Sequence, residues 1–316
     1  LAADGQLEVL HEFGDSDGSG AYGLVLAPDG FFYGVTGTGG EFDAGTAFRV
    51  SPQGQFKLLH AFRRSADSGG WPRGNLLLAS DGYFYGTTAV GGAADRGTVF
   101  RMKPNGQVKW LHAFDPAQKD GATPLGRLIE GSDGLIYGTT TAGGQYCCGT
   151  VFKMHRNGEL HIVHSFSFDG HDGYSPDTGV TEGPDGRFYG VAEGHRENRR
   201  GLIFRFDRRG HFKVVYDFPP PSEINGREPR QALTRGRDGA LYGTTSWGGA
   251  YEFGGTIFRF TTDGVLTTLH SFDNDSPVGR GAANALLERG DGEFIGTTYA
   301  GGEANRGSIY RLRVSP

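Results

Sequence analysis

An all-β protein is predicted by this sequence: a six-bladed β-propeller with four antiparallel strands per blade, residues 1–316 forming one domain. Three observations lead there. A hydrophobic residue followed by Gly and then Thr or Val recurs at Tyr33, Tyr85, Tyr137, Tyr189, Tyr242 and Ile295, spaced 52, 52, 52, 53 and 53 residues apart. Each period holds four short apolar runs rich in Phe, Tyr, Val and Leu, separated by Asp-Gly, Asn-Gly and Gly-Gly, the pattern of strands joined by hairpins. No segment carries a helical period long enough to compete.

The elements follow in order along one period. The first run, LLLASDG (Leu76–Gly82), ends in a tight turn, and the second, YFYGTT (Tyr83–Thr88), leads into an irregular loop. The third, GTVFRMKPNG (Gly97–Gly106), turns tightly into the fourth, QVKWLHAF (Gln107–Phe114). Four strands repeated about every 50 residues make a blade that buries its faces only against neighbouring blades. The ends agree, because the sixth period stops after its third strand, GSIYRLRV (Gly307–Val314), while the chain opens on an orphan fourth strand, QLEVLHEF (Gln6–Phe13). The N-terminal strand is therefore expected to complete the last blade and leave no free sheet edge. An open solenoid gives no reason for such offset ends.

Composition narrows the function classes. With 56 Gly and 14 Pro the chain is turn-rich, and 23 Phe and 13 Tyr supply the core. A net charge of −5 argues against a nucleic-acid binder, which needs a broad basic face, so any basic site is local. No run of 18 apolar residues exists to span a membrane. The opening residues lack the basic and apolar regions of a signal peptide, so an exported protein is expected to have lost its signal ahead of this numbering.

The repeat resembles the GloVer tandem-repeat family of bacterial, mostly exported proteins, whose core is close to Y-G-T-T-x-x-G-G-x(4)-G-T-[VI]-F-[RK]. The resemblance is carried by YGTTAVGGAADRGTVF (Tyr85–Phe100), YGTTTAGGQYCCGTVF (Tyr137–Phe152) and YGTTSWGGAYEFGGTIF (Tyr242–Phe258). It extends to the sixth repeat and, more loosely, the first, and fails in the fourth, YGVAEGHRENRRGLIF (Tyr189–Phe204). It implies a secreted, periplasmic or cell-surface setting and transfers no catalytic residue.

The turns between first and second and between third and fourth strands are uniformly tight, whereas the loops on the other face differ in length and composition, as in RRSADSGGWPRG and DPAQKDGATPLG. Function is expected on the long-loop face. His11, His60, His112, His164 and His270 share one repeat position and form a packing or hydrogen-bonding device; Trp110 is read as blade packing, and His155, His161 and His211 as surface residues.

What remains points to the fourth blade. Its loop has lost Thr-Thr and Gly-Gly and gained Glu193, His195, Arg196, Glu197, Asn198, Arg199 and Arg200, and His171 and Tyr174 lie in the loop entering that blade. Exposed aromatic residues suit sugar faces, while Arg and His suit a carboxylate, so a polysaccharide or oligosaccharide is the expected partner of a monomeric protein. If catalytic, the groups suit β-elimination on a uronic-acid polysaccharide, which needs a cation to neutralise the carboxylate, a base to remove the α-proton and an acid for the leaving oxygen. Arg199 or Arg196 would be the neutraliser, His195 or His171 the base and Tyr174 the acid. Glu197, Arg200, Tyr146, Trp71, Trp247 and Tyr299 complete the candidate binding surface. Some polysaccharide lyases are propellers, an analogy of fold alone.

Alternatives stay open at this point. Hydrolysis by paired carboxylates has Glu193, Glu197, Asp169 and Asp172 near the same blade, with no motif selecting two of them. A non-catalytic carbohydrate-binding or adhesion module would carry equivalent residues in every loop. No cofactor is expected; Asp15, Asp17, Asp120 and Asp275 offer carboxylates for calcium, in a spacing that is not a metal loop. Cys147 and Cys148 are neighbours whose Cα atoms, about 3.8 Å apart across a trans peptide, would strain a disulfide, and they lack the spacing of a zinc site.

Overall fold

The computed structural model describes residues 9–169, 171–194, 200–219, 225–251, 254–273, 279–282, 284–290, 292–301 and 305–314. It is an all-β six-bladed propeller whose six antiparallel sheets match the six sequence periods. The second blade sets the pattern, with strands Gly69–Leu78, Phe84–Gly91, Thr98–Met102 and Val108–Ala113 hydrogen-bonded in sequence order. Among the described residues the one helical element is a 3₁₀ turn at Pro116–Gln118, capped by the Asp115 carboxylate, and no helix is long and apolar enough to cross a membrane.

Each conserved letter of the repeat has a physical job. The Asp of the first tight turn accepts the Tyr hydroxyl four residues on: Tyr85 donates to Asp81 Oδ2 at 2.8 Å, and the same bond joins Tyr33 to Asp29, Tyr137 to Asp133, Tyr189 to Asp185 and Tyr242 to Asp238. The other oxygen of Asp81 accepts the Tyr83 N–H at 3.1 Å, so one carboxylate fixes both the turn and the ring. Burial and that hydrogen bond push the Tyr85 phenol up to about 12. The following Gly is demanded by its cross-strand partner: Gly86 pairs with Phe100, and a Cβ on Gly86 would lie 2.5 Å from Phe100 Cζ. The second Thr meets the Thr of Gly-Thr across the same strands, Thr88 Oγ1 to Thr98 Oγ1 at 2.7 Å, both buried.

The fourth strand ends in a fully buried Phe, at Phe62, Phe114, Phe166, Phe218 and Phe272. Burying such a ring contributes about 1.5–3 kcal/mol. The His two residues before it is a hydrogen-bonding device: His112 bonds Asp120 at 2.8 Å, His164 bonds Asp172 at 2.7 Å, and His11 bonds Asp17 at 2.8 Å. The remaining oxygen of Asp120 accepts the Asp115 N–H, so the pair also shapes the loop. Asp17 and Asp120, considered as calcium ligands, are thus engaged by histidine, and Asp275 lies outside the described residues. Trp110 packs edge-on against Phe62 and Phe100, as expected of blade packing.

The chain divides into two compact units, residues 1–143 with 152–161, and residues 144–151 with 162–316. The first unit has core clusters around Tyr33, Phe84 and Phe100 and around Tyr85, Phe114 and Phe152. In the second unit, one cluster gathers on Tyr189, Phe218 and Phe258 and another on Tyr242, Phe272 and Phe294. The first three residues of the orphan strand expected at Gln6–Phe13 lie outside the described residues. Its described end, Val9–Phe13, carries no strand, though His11 stacks on Phe56 with ring centres 3.6 Å apart, as His164 stacks on Phe212.

Candidate functional site

One backbone position recurs at the entrance to four successive blades. Trp71, Thr123, Ser175 and Glu228 each precede a proline and each hold a left-handed φ, at 54°, 55°, 51° and 56°. Every one donates its N–H to a carbonyl of a preceding loop: Trp71 to Ala44, Thr123 to Arg96, Ser175 to Cys148 and Glu228 to Arg200. A non-Gly residue held there costs on the order of 1–3 kcal/mol, which the surrounding structure must offset. Because the strain repeats while the side chain changes, the scaffold presents four different groups from one rigid position.

In the first unit that position carries Trp71, and Trp71 lines an open pocket of about 760 Å³ with Tyr22, Arg64, Arg73, Asp95 and Arg96. The volume lies within the range of small-ligand sites. Strand Gly69–Leu78 starts inside the stretch expected to be irregular loop, because Gly69 and Gly70 pair with Gly91 and Val90, and this pairing delivers Trp71 and Arg73 to the pocket wall. The Arg64 guanidinium grips Asp95 with Nε at 2.9 Å from Oδ1 and 3.1 Å from Oδ2, and lies 5.6 Å from the Trp71 ring centre. That grip holds the Asp95 carboxyl below the usual carboxylate range. Arg73 donates to the Tyr22 hydroxyl, a neutral partner. Among the described residues no carboxylate pairs with Arg73 or Arg96, so the pocket keeps an excess of positive charge beside an indole.

The second unit holds a different set. Tyr174 and Glu193 form a backbone bridge, donating to each other's carbonyls at 3.0 and 2.9 Å, so the loop entering the fourth blade meets that blade's own loop as expected. Arg230 reaches Glu228 at 3.1 Å and Glu193 at 4.0 Å. Asp177 sits two residues after Ser175, and burial pushes its carboxyl up, with the Glu193 charge adding to the rise and Arg230 opposing it. A carboxyl raised by burial therefore shares one neighbourhood with a second carboxylate and an arginine.

Of the residues expected from sequence, His195, Arg196, Glu197 and Arg199 lie outside the described residues. His171 is exposed with φ 55°, and Tyr174 packs its ring against Phe168 at 5.5 Å. Asp172 is occupied by His164, which removes it from the carboxylates considered for hydrolysis. Arg200 contributes its carbonyl to the Glu228 stitch. Tyr146 and Tyr299 are 51% and 54% exposed, and Trp247 bridges Arg227 through its backbone. Cys147 and Cys148 are free thiols; burial pushes Cys148 up to about 11, and its thiol donates to the Tyr146 carbonyl. Sequence reasoning missed Tyr22, Arg64, Arg73, Arg96, Asp177 and Arg230. A signal existed in the residue after the recurrent proline, where Arg73 and Arg230 are basic, Leu125 is apolar and Asp177 is acidic.

Comparison with known proteins adds family and fold. Residues 1–194 and 178–315 each match the model of the Gloeobacter/Verrucomicrobia repeat. No curated protein matches the sequence. Among solved structures, the periplasmic gluconolactonase PpgL of Pseudomonas aeruginosa is similar at 17% identity and TM-score 0.53, over 90% of this chain and 83% of that one. Puromycin hydrolase is similar at 13% identity and TM-score 0.58, over 93% of this chain but 43% of that one. A protein of unknown function from Dyadobacter fermentans is similar at 12% identity and TM-score 0.53, over 94% of both chains. At such identities these likenesses carry the propeller fold alone.

Proposed function

This chain belongs to the Gloeobacter/Verrucomicrobia repeat family, and from that premise we propose that it is an exported propeller that binds an acidic saccharide, a uronic-acid-containing glycan, in the Trp71 pocket. The observation that carries this reading is the pairing of an indole with arginines whose charge is not spent. Arg64 is neutralised by Asp95, while Arg73 and Arg96 remain to meet a carboxylate, and Trp71 and Tyr22 offer apolar surface to a sugar ring. Arginine suits that task because its planar donors match a carboxylate in a bidentate fashion. The test is calorimetric titration with uronate oligomers beside the same oligomers reduced at the carboxyl. Binding of the acid form alone, weakened about tenfold or more by Arg73→Ala and by Trp71→Ala, is the expected result; equal binding of both forms, or none, defeats it.

A second reading, that the protein also cleaves such a glycan, is favoured by Asp177. A carboxyl raised by burial stays protonated closer to neutrality and can donate to a leaving oxygen, and Glu193, 4.0 Å from Arg230, stands beside it as the second carboxyl that such a reaction needs. Elimination remains the other reaction open to a uronate, with Tyr174 as its described acid. New reducing ends without an unsaturated, ultraviolet-absorbing product would mark hydrolysis; the absorbing product would mark elimination. Neither product sinks the cleavage reading and leaves binding intact.

A further inference from the structure

The third blade departs from its neighbours on the tight turn between its third and fourth strands. There the backbone hairpin is common property: His155 N–H donates to Glu159 O at 2.9 Å, as Ser51 does to Gln55, Lys103 to Gln107 and Thr261 to Val265. The bond sets residues i and i+4 side by side across the turn, and residue i+6 lies on the same strand face as i+4, because strand side chains alternate with period two. Three side chains are thus gathered by the fold itself wherever this hairpin forms.

Their chemistry changes from blade to blade. The first blade places Ser51, Gln55 and Lys57 there, the second Lys103, Gln107 and Lys109, the fourth Asp207, His211 and Lys213. The third alone has His155, Glu159 and His161, with histidine in the place where its neighbours carry lysine. The donor atoms of these three side chains all lie within 4.8 Å of one another, and all three residues are exposed. His161 Nε2 is 3.4 Å from Glu159 Oε1, and the two imidazoles stand 6.0 Å apart at 78°. Ligands about 2.1 Å from one tetrahedral ion lie about 3.4 Å from each other, so one pair already has that spacing and His155 needs only a side-chain rotation to join it.

We propose that His155, Glu159 and His161 form a binding site for a late divalent transition metal ion, Zn²⁺ or Ni²⁺, on the turn of the third blade. Two neutral imidazoles and one carboxylate suit such ions, whereas Ca²⁺ and Mg²⁺ call for an all-oxygen shell. Three protein ligands leave a fourth position for water or an incoming anion. The site is separate from the Trp71 pocket, and neither proposal depends on the other.

The test is calorimetric titration of the metal-stripped full chain with ZnCl₂ and NiCl₂, beside His161→Lys, His155→Ala and a Cys147→Ser/Cys148→Ser double variant. His161→Lys restores the residue that neighbouring blades carry, so it keeps the hairpin folded. The expected result is one ion per chain, weakened about tenfold or more by each histidine variant and unchanged by the cysteine variant. No binding by the wild type, wild-type affinity in His161→Lys, or loss of binding in the cysteine variant would each overturn the assignment.

Discussion

Ala192 and Leu202 face each other across the fourth blade at the register position where Thr88 and Thr98 share a buried hydrogen bond of 2.7 Å in the second. Both partners of the hydroxyl pair have been exchanged together for an apolar pair. The Ala192 and Leu202 side chains are buried, so the departure of this repeat from Y-G-T-T is, in its strands, a compensated packing change. Replacing one partner should therefore cost more than replacing both. Ala192→Thr buries a hydroxyl against Leu202 and should destabilise by about 1–3 kcal/mol, while Ala192→Thr with Leu202→Thr should recover much of that loss. A denaturant double-mutant cycle measures the coupling; additive losses would show the pair to be independent.

Gly86 gives a sharper steric case. A Cβ there would meet Phe100 Cζ at 2.5 Å, and the same clash recurs at Gly138 against Phe152 and Gly190 against Phe204. The ring is buried and cannot swing away without opening a gap elsewhere. Gly86→Ala should cost about 1–3 kcal/mol, read as a lowered denaturation midpoint at unchanged slope. Pairing it with Phe100→Leu should cost less than the sum of the two single changes.

The strands were legible because their reasons repeat every 52 residues or so, and Asp81, Tyr85, Gly86 and His112 announce themselves by recurrence even before Asp120 is seen to hold His112. Recurrence left one change half-read. The missing threonines of the fourth repeat did not show their packing partner, since the matching change at Leu202 stands ten residues downstream in the next strand and belongs to a different motif letter. The Trp71 pocket stayed hidden for a related reason. Asp95 recurs at Asp43 as a turn-holding acid, but Arg64, 31 residues away, lies in a loop with no period, and the pairing of Gly69 and Gly70 with Gly91 and Val90, with the Gly92 N–H bonds to Ser65 and Ser68, brings the two segments together. A left-handed φ at Trp71 leaves no mark in residue type, because tryptophan is the last residue turn chemistry would choose for it.

Asp177 makes stability depend on pH in a defined direction. Burial raises its folded-state pKa above the unfolded value of about 3.9, so the fold binds the proton more tightly than the open chain does. Stability from this group is therefore lost as pH rises from the unfolded value through the raised one, and the penalty is complete above both. Asp177→Asn removes the penalty, so its melting temperature should exceed that of the wild type near neutral pH, with the gap closing as pH falls toward about 4. A gap that stayed constant with pH would assign the effect to packing instead. If the cleavage reading holds, the same variant is more stable and inactive.

Asp95 makes the opposite prediction for binding. Its hydrogen bonds from Arg64 hold its carboxyl below the usual range, so it stays ionised and Arg64 stays engaged throughout the mildly acid and neutral region. Affinity for a uronate oligomer should then be level between about pH 5 and 8, where the ligand carboxylate and the arginines keep their charges. Removing the carboxylate by Asp95→Asn frees Arg64 beside Trp71 and deletes the one negative charge that lines the pocket among the described residues, so affinity for the acid oligomer should rise several-fold and fall more steeply with added salt. Gly91 N–H also donates to Asp95, at 2.9 Å, and the asparagine carbonyl preserves an acceptor for it, which keeps the loop in place. Calorimetry at two salt concentrations checks both parts. Weaker binding by Asp95→Asn would mean that the Arg64–Asp95 pair, rather than free arginine charge, shapes the pocket for its ligand.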